Sequence, residues 1–491
     1  MALSSTEERF AATDAALPLC VDLDGTLVRT DLLHEAAIRF IARNPWTAWR
    51  LGIWALKGPA VLKSELSTRI DIGARSLPYF DELIAYIVQH REQSGSTYLV
   101  TASPRPWAEA VAGHLGLFDE VICSSDSVNL KGEAKVRVLA DRFGSRGFAY
   151  IGDSRHDAPV WAKAAVPIGV GRRAARYLPA DGQLFTMSGS LGKSMFRAMR
   201  PHQWLKNLLV FVPLLTSHQL DNPAAVLMAL VAFAAFCCCA SSAYIVNDLI
   251  DLPADRAHPR KCLRPFASGE VPIALGGVLA LGLLVLAALC CLLLPPLFAV
   301  MLLTYYCLTQ AYSLTLKRRA PADIFTLAGL YTIRVVAGAA AIGVQLSLWL
   351  AALSVFVFLS LATLKRYAEL VDTAAREIEV PAGRGYMTGD GPVLVALGVA
   401  SGFSTVLVLT QYVTQHYVVS LYRTPALLWL ICPLFLFWIS RMWLLAQRHQ
   451  MHDDPIVLTV RDRISQVIIA ISGVIAAIAS AVEIPLPMIL E

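Results

Sequence analysis

Residues 247–255 read Asn-Asp-Leu-Ile-Asp-Leu-Pro-Ala-Asp and follow a long apolar stretch. Asp248, Asp251 and Asp255 recur at spacings of three and four. On a helix that spacing puts the three carboxylates on one face. Carboxylates at a membrane helix end are costly unless compensated, and a divalent cation carrying a diphosphate is the natural partner. A second set lies near the N-terminus. Cys20-Val21-Asp22-Leu23-Asp24-Gly25-Thr26-Leu27 comes first, then Thr101 after Tyr98-Leu99-Val100, then Lys131 and Lys135, then Gly152-Asp153-Ser154-Arg155-His156-Asp157. The apolar runs ahead of these motifs read as strands. That places the polar clusters at strand carboxyl ends, where open α/β sheets build their sites.

The elements that must position these residues differ between the two halves. The chain has 491 residues, more than one ordinary domain holds. Hydrophobic residues make up 56% and mean hydropathy is positive, which points to a membrane protein. Residues 1–190 carry 21 Lys/Arg and 21 Asp/Glu, whereas 191–491 carry 21 and 16, so the whole net charge of +5 lies in the apolar half. Residues 1–16 are polar and include acidic groups, unlike a secretory signal, so the first half is expected to stay in the cytoplasm. Cys237–Cys239, Cys290, Cys291, Cys307 and Cys432 lie in apolar runs and act as small hydrophobes. No CxxC pair or Cys/His metal spacing occurs.

Apolar windows fall at 207–220, 223–246, 272–294, 296–316, 322–343, 347–367, 391–414, 425–446 and 464–486. Most reach the roughly 20 residues a span needs. The first is short and interrupted by Pro213. The second half is therefore expected to be an all-α polytopic membrane domain of about nine helices. Loop cations alternate. They lie before the first window, and after the second, fourth, sixth and eighth, with Arg423 the exception on the other side. The positive-inside rule makes the cation-bearing side cytoplasmic. Three motif-bearing loops fall there: the Asp row with His258-Pro259-Arg260-Lys261 and Arg264; Tyr312 to Lys317 and Arg318, leading to Asp323; and Lys365-Arg366-Tyr367, leading to Gly383-Arg384-Gly385-Tyr386. Carboxylates for Mg²⁺ and cations for phosphate oxygens are thus expected at one face.

Residues 195–490 resemble the UbiA superfamily of intramembrane prenyltransferases, whose NDxxDxxxD motif is matched at 247–255. The usual second Asp-rich motif is reduced here to Asp323, with Leu at 327. Arg200-Pro201-His202-Gln203-Trp204-Leu205-Lys206-Asn207, the Tyr-Ser-Leu-x-Leu-Lys loop, Lys365-Arg366-Tyr367-Ala368-Glu369-Leu370 and Asp454-Pro455…Asp462-Arg463 resemble the decaprenyl-phosphate phosphoribosyltransferase branch. That resemblance implies phosphoribosyl pyrophosphate (PRPP) as donor and a polyprenyl phosphate as acceptor. Asp248, Asp251 and Asp255 would hold Mg²⁺ on the diphosphate, with Asn247 orienting the row or coordinating the ion. Asp323 would bind a second metal or the ribose hydroxyls. Lys206, Asn207, Arg264, Tyr312, Lys317, Lys365, Arg366 and Tyr367 would contact substrate. Arg334, alone inside a span, reads as functional or as half of a helix-to-helix salt bridge.

Residues 15–188 resemble the haloacid dehalogenase (HAD) superfamily, an α/β Rossmann-like fold, here with a helical cap at about 30–95. The resemblance implies a Mg²⁺-dependent phosphatase. Asp22 would be the nucleophile, Asp24 the general acid/base, and Thr101 a phosphoryl contact. Asp22, Asp24, Asp153 and Asp157 would form the metal site. Lys135 is the expected lysine, since Leu139 and Phe143 follow at helical spacing, with Lys131 its competitor. Trp46, Trp49 and Trp54 with Arg43, Arg50 and Lys57 fit either a membrane-surface helix or a buried cap helix, and burial is the expectation. Residues 176–196, with Pro, Gly and Ser, read as the connection between halves, giving domains at 1–188 and 201–491 with 189–200 as linker.

A phosphatase joined to such a transferase suggests successive steps. Polyprenyl-phosphoryl-5-phosphoribose would form first, then lose its 5-phosphate to give polyprenyl-phosphoryl ribose for cell-envelope glycans. Both sites would lie on the cytoplasmic side of the inner membrane, with the bilayer as partner and no nucleic acid. Two rival readings are an aromatic prenyltransferase with a prenyl diphosphate donor and a non-enzymatic membrane scaffold or sensor. The incomplete second Asp motif argues against the first, and the intact Asp22, Asp24, Asp153 and Asp157 against the second.

Overall fold

The computed structural model describes residues 17–124, 130–186, 189–374, 385–451 and 454–483. They divide into two units: the described residues to Met199 with Ile245–Leu279, and Arg200–Tyr244 with Ala280 onward.

The first unit is built on six strands: β1 (Leu19–Val21), β2 (Thr97–Pro104), β3 (Glu120–Ser124), β4 (Ala149–Gly152), β5 (Val166–Val170) and β6 (Gln183–Phe185). All neighbouring strands run parallel, in the order β3-β2-β1-β4-β5-β6. Side chains alternate between two covered faces, as a parallel sheet requires. Leu19, Val21, Leu99, Ala149 and Ile151 face one core, and Cys20, Val100, Phe148 and Tyr150 the other. The first core receives the cap helices α1 (Leu32–Arg43), α2 (Trp49–Leu56), α3 (Pro59–Ser67) and α4 (Asp81–Glu92), together with α5 (Arg105–Leu115). The second receives α6 (Glu133–Phe143) and α7 (Ala158–Trp161). The chain leaves β1 toward β2 on one side and β4 lies on the other, so the switch point falls at the carboxyl end of β1.

Two expectations are revised here. β6 lies inside the stretch read as a connection, because three residues suffice for an edge strand and Phe185 packs on Phe80 and Tyr86. Residues 189–200 contain a helix after the short α8 (Gly171–Ala174), namely α9 (Leu191–Ala198), which buries Ser194 and Ala198.

Among the described residues, eight helices are long and apolar enough to cross a membrane. They match the last eight apolar windows. The first window instead forms a 3-10 helix, Pro201–Phe211, that runs into a single short helix, α10 (Val212–Thr216). Pro213 is tolerated there because it sits in the first turn, where its missing N–H costs nothing. Next come α11 (Pro223–Ile250) and the short α12 (Leu252–Ala257). The following spans are α13 (Ile273–Cys291), α14 (Pro296–Leu314), α15 (Ala322–Ile342), α16 (Leu348–Ala374) and α17 (Gly391–Val413). The chain ends with α18 (His416–Val419), α19 (Ile431–Gln447), α20 (Pro455–Arg461) and α21 (Arg463–Ala481). Small residues let these backbones approach, as in other membrane bundles. A Cβ on Gly338 of α15 would lie 2.1 Å from the carbonyl oxygen of Val210, so only glycine admits the 3-10 segment there.

Candidate active sites

The first site forms at the switch point. Asp22 follows β1, and its N–H donates to the Ile151 carbonyl of β4 at 3.0 Å. Asp153 and Asp157 follow β4, and one oxygen from each of Asp22, Asp153 and Asp157 lies within 4.8 Å of the others. Lys135, buried on α6, donates to Asp22 Oδ1 at 3.0 Å and to the Tyr150 hydroxyl at 2.7 Å, with Asp157 Oδ1 at 3.6 Å. Tyr150 in turn donates to Asp157 Oδ1 at 2.7 Å. Lys131 is exposed. Gly25 has φ +74°, and a Cβ there would sit 2.6 Å from Asp153 Oδ2, so the backbone turn and the close approach both need glycine.

Charge explains the chemistry of this trio. Burial pushes the Asp22 carboxyl up to about 7; Lys135 pulls it down and Asp157 pushes it further up. Burial, then Asp22 and Asp157, push Asp153 up to about 8. Burial alone would lower the Lys135 ammonium, but Asp22 and Asp157 outweigh it and hold it above its usual value. Three carboxylates share one buried lysine, so the all-oxygen set is short of positive charge and fits a divalent cation. Asp24 stands outside this group. Its Oδ1 accepts from the Leu32 N–H at 2.8 Å and its Oδ2 from the Ser103 hydroxyl at 2.5 Å. Burial and Asp31 push its carboxyl up to about 6. Thr101 is fully buried on β2, and its Oγ1 accepts from the Ser103 N–H at 3.0 Å. Sequence reasoning missed Tyr150 and Ser103. Both lie within two residues of Thr101 or Gly152, but nothing in the pattern marks them as partners of Asp157 and Asp24.

The second site begins where α11 ends. Asp251 joins α11 to α12, yet its N–H still donates to Asn247 O, and the Asp255 N–H donates to Asp251 O, both at 2.9 Å. The i, i+4 register expected for the row thus survives the junction. Asp248 and Asp255 are buried, while Asn247 and Asp251 are half-buried. Arg264, expected on a phosphate, instead donates to Asp248 Oδ1 at 3.2 Å and Asp255 Oδ2 at 2.5 Å. The row therefore already accepts positive charge between two of its three carboxylates, which is the property a metal–diphosphate site needs. Among the described residues only the Asp22 trio closes around one point.

The loop after this row is tied to the cap. Arg256, next to Asp255, donates to both oxygens of Glu35 at 2.8 and 3.0 Å and to Ala267 O at 3.1 Å. Glu35 lies on α1, fully buried, and also accepts from Arg39 at 3.2 Å. Farther along, Glu270 accepts from Ser194 at 2.6 Å and pairs with Arg197.

In the second unit the expected substrate contacts are mostly paired. Lys206 and Lys365 donate to Asp454 Oδ2 at 2.8 and 2.9 Å, and the Tyr331 hydroxyl donates to the same carboxylate at 3.1 Å. Burial pushes Asp454 up, but Lys365 and Lys206 outweigh it and hold the carboxyl well below its usual range. Asp323 is fully buried and gives both oxygens to Arg366, which also donates to Tyr312 and Glu369 at 2.5 Å. Both oxygens of Asp323, expected on a second metal or the ribose hydroxyls, thus lie on an arginine. Arg334 is buried and donates to Asn207 Oδ1 and the Tyr305 hydroxyl, each at 2.9 Å, and to the Leu330 carbonyl. Among the described residues it pairs with no carboxylate, so the salt-bridge alternative is not what forms. Tyr367 donates to Gln447, and Lys317 is half-buried in a 3-10 turn. Gly383 and Arg384 lie outside the described residues. Asp454 is the partner that sequence reasoning missed: its helix-capping Asp-Pro is visible in the pattern, its two lysines are not.

Comparison with known proteins agrees with both halves. The UbiA prenyltransferase family matches residues 208–461, and the haloacid dehalogenase-like hydrolases match residues 19–161. An uncharacterised protein, y4nM of Sinorhizobium fredii, is 37% identical over 460 residues, 92% of this chain and 89% of that one. The nodulation protein NoeC of Azorhizobium caulinodans is 33% identical over 275 residues, 55% of this chain and 88% of that one. The decaprenyl-phosphate phosphoribosyltransferase of Mycolicibacterium smegmatis is 38% identical over 189 residues; the match covers 37% of this chain and 58% of that enzyme. The chain belongs to the UbiA prenyltransferase family. It is a multi-pass membrane member that carries a HAD-like domain ahead of its membrane helices.

Proposed function

We propose that the chain transfers 5-phosphoribose from PRPP to a polyprenyl phosphate and then removes the 5-phosphate, giving polyprenyl-phosphoryl ribose for cell-envelope glycans. The carrying observation is charge balance. Lys206 and Lys365 share one carboxylate, Asp454, and Arg334 has none among the described residues, so these groups favour anions. A neutral phenolic acceptor would leave that excess unused, whereas PRPP and a lipid phosphate bring several phosphates. Similarity to decaprenyl-phosphate phosphoribosyltransferases supports the same donor and acceptor.

In the transfer, a lipid-phosphate oxygen bonds to C1 of the ribose while the C1–O bond to diphosphate breaks, and diphosphate leaves with the electron pair. Asn247, Asp248, Asp251 and Asp255 would hold Mg²⁺, which when bound offsets charge on the departing diphosphate. Arg264 offers a guanidinium at the same carboxylates. Lys206, Lys317 and Lys365 hold phosphate oxygens. Arg366 and Asp323, spent on each other, brace α15 against α16. In the second step Asp22 attacks the 5-phosphate, with Thr101 on its oxygens and Lys135 offsetting charge. Asp24 gives its proton to the leaving 5-hydroxyl, and water then releases phosphate from Asp22. Asp22, Asp153 and Asp157 would hold the second Mg²⁺. Both sites would face the cytoplasm from the inner membrane.

Purified protein given PRPP and polyprenyl phosphate should release diphosphate and inorganic phosphate. Labelled prenyl diphosphate offered in place of PRPP should give no product. If Asp22→Asn leaves phosphate release unchanged, the coupled reading is wrong.

A further inference from the structure

The cap carries an apolar face that stays exposed among the described residues. Trp46 is 91% exposed, Trp49 62%, Ile53 42% and Leu56 91%. Of the five exposed large apolar side chains among described residues 17–186, these are four; Tyr177 is the other. Three of them recur on α2 at helical spacing, and Trp46 precedes them by three residues, so they form one face. The opposite side of α2 is anchored. Trp54 is buried and packs edge-on against Phe40 of α1, with ring centroids 5.3 Å apart. The exposed face is therefore held in place by a tryptophan that points inward. Burial of all three tryptophans, the sequence expectation, holds only for Trp54.

Charge selects the partner. No Asp or Glu occurs from Ala36 to Ser64, while Arg43, Arg50 and Lys57 are exposed around the apolar face. Arg50 lies over the Trp49 ring, 5.7 Å from its centroid. A second copy of the same face would bring like charges together. An anionic bilayer surface matches both features, since tryptophans settle at the headgroup boundary and basic flanks are drawn to acidic lipids. The cap is also bound, through Glu35 and Arg256, to the loop that begins directly after the apolar helix Pro223–Ile250. A bilayer is thus always present for this chain.

We propose that Trp46, Trp49, Ile53 and Leu56 form a membrane-surface contact of the HAD cap, held by Arg43, Arg50 and Lys57 on anionic phospholipid. Such a cap would favour lipid-linked phosphates over soluble ones at the Asp22 site. That consequence rests on the proposed phosphatase substrate, whereas the lipid contact does not.

The test uses full-length protein in phosphatidylglycerol nanodiscs, with and without bromine on the acyl chains. Tryptophan emission of the wild type is compared with that of a Trp46→Phe/Trp49→Phe variant; both positions are exposed, so the fold should tolerate phenylalanine. The emission lost in the variant should be the part quenched by bromine and shielded from aqueous acrylamide. In phosphatidylcholine discs, or with Arg43→Glu, Arg50→Glu and Lys57→Glu, bromine quenching should fall severalfold while the tryptophans remain. If that emission is reached by acrylamide and untouched by bromine, the surface faces water and the proposal fails. Shielding from acrylamide without bromine quenching would assign the face to a protein partner and overturn it equally.

Discussion

The Asp22 trio and the Asp248 row are both groups of three carboxylates, yet they solve opposite problems. The trio sits on strand ends, where the sheet fixes Cα positions and crowds the oxygens around one point. Its single lysine cannot balance three acids, and the Asp22 and Asp153 carboxyls respond with raised pKa values. The row sits at a helix end, where successive carboxylates are spread along the axis by the helical rise. A single terminal nitrogen of Arg264 reaches both Asp248 and Asp255. Strand ends therefore make a compact cage of oxygens, and a helix end makes an acidic ledge.

The largest effect should follow from opening the cage. Asp22→Asn removes the proposed nucleophile and should lower phosphate release roughly 10⁴-fold, measured as phosphate produced from a phosphate monoester. Disturbing the ledge should cost less, because its work is electrostatic. Asp248→Asn should reduce diphosphate release about 10²- to 10³-fold, followed with labelled PRPP. A ledge mutant as severe as Asp22→Asn would erase the distinction between the two sites.

The tie to the cap gives the next test. Glu35→Gln leaves Arg256 and Arg39 short of a buried counter-charge, which should destabilise the folded protein by about 3 kcal/mol, read from thermal unfolding in detergent. Pairing it with Arg256→Gln should restore part of that loss, since the second change removes a stranded charge. Sharpening the contrast further, Arg264→Ala should remove a guanidinium that competes for Asp248 and Asp255 and strengthen Mn²⁺ binding at the row severalfold, measured by titration with the Asp22 site blocked by Asp153→Asn. Smallest of all, Lys131→Ala should change phosphate release by less than about twofold, as an exposed cation far less constrained than Lys135 would.

Much of the fold and of both sites is legible in the residues alone. The DxDGT, Thr, Lys and GDxxxD order marks strand ends because apolar runs precede the motifs, and helical periodicity favours Lys135 over Lys131. Eight of nine apolar windows form long helices. The window with Pro213 does not, because a 14-residue stretch broken by proline cannot sustain a continuous span. Trp46 and Trp49 are expected inside because tryptophan usually is, but a helix face is buried only if something packs on it.

Residue types and spacings, then, determined where the acids gather: at strand ends in one half and in a row at helical spacing in the other. Tertiary structure alone decided the partners. Glu35 meets Arg256 across 221 positions, and Lys206 meets Asp454 across 248. Asp323 meets Arg366 across 43 positions. A charged side chain in the sequence carries the demand for a counter-charge, but burial and the approach of distant segments choose which one answers it, because Coulomb attraction in a low-dielectric interior depends on distances that only the fold supplies.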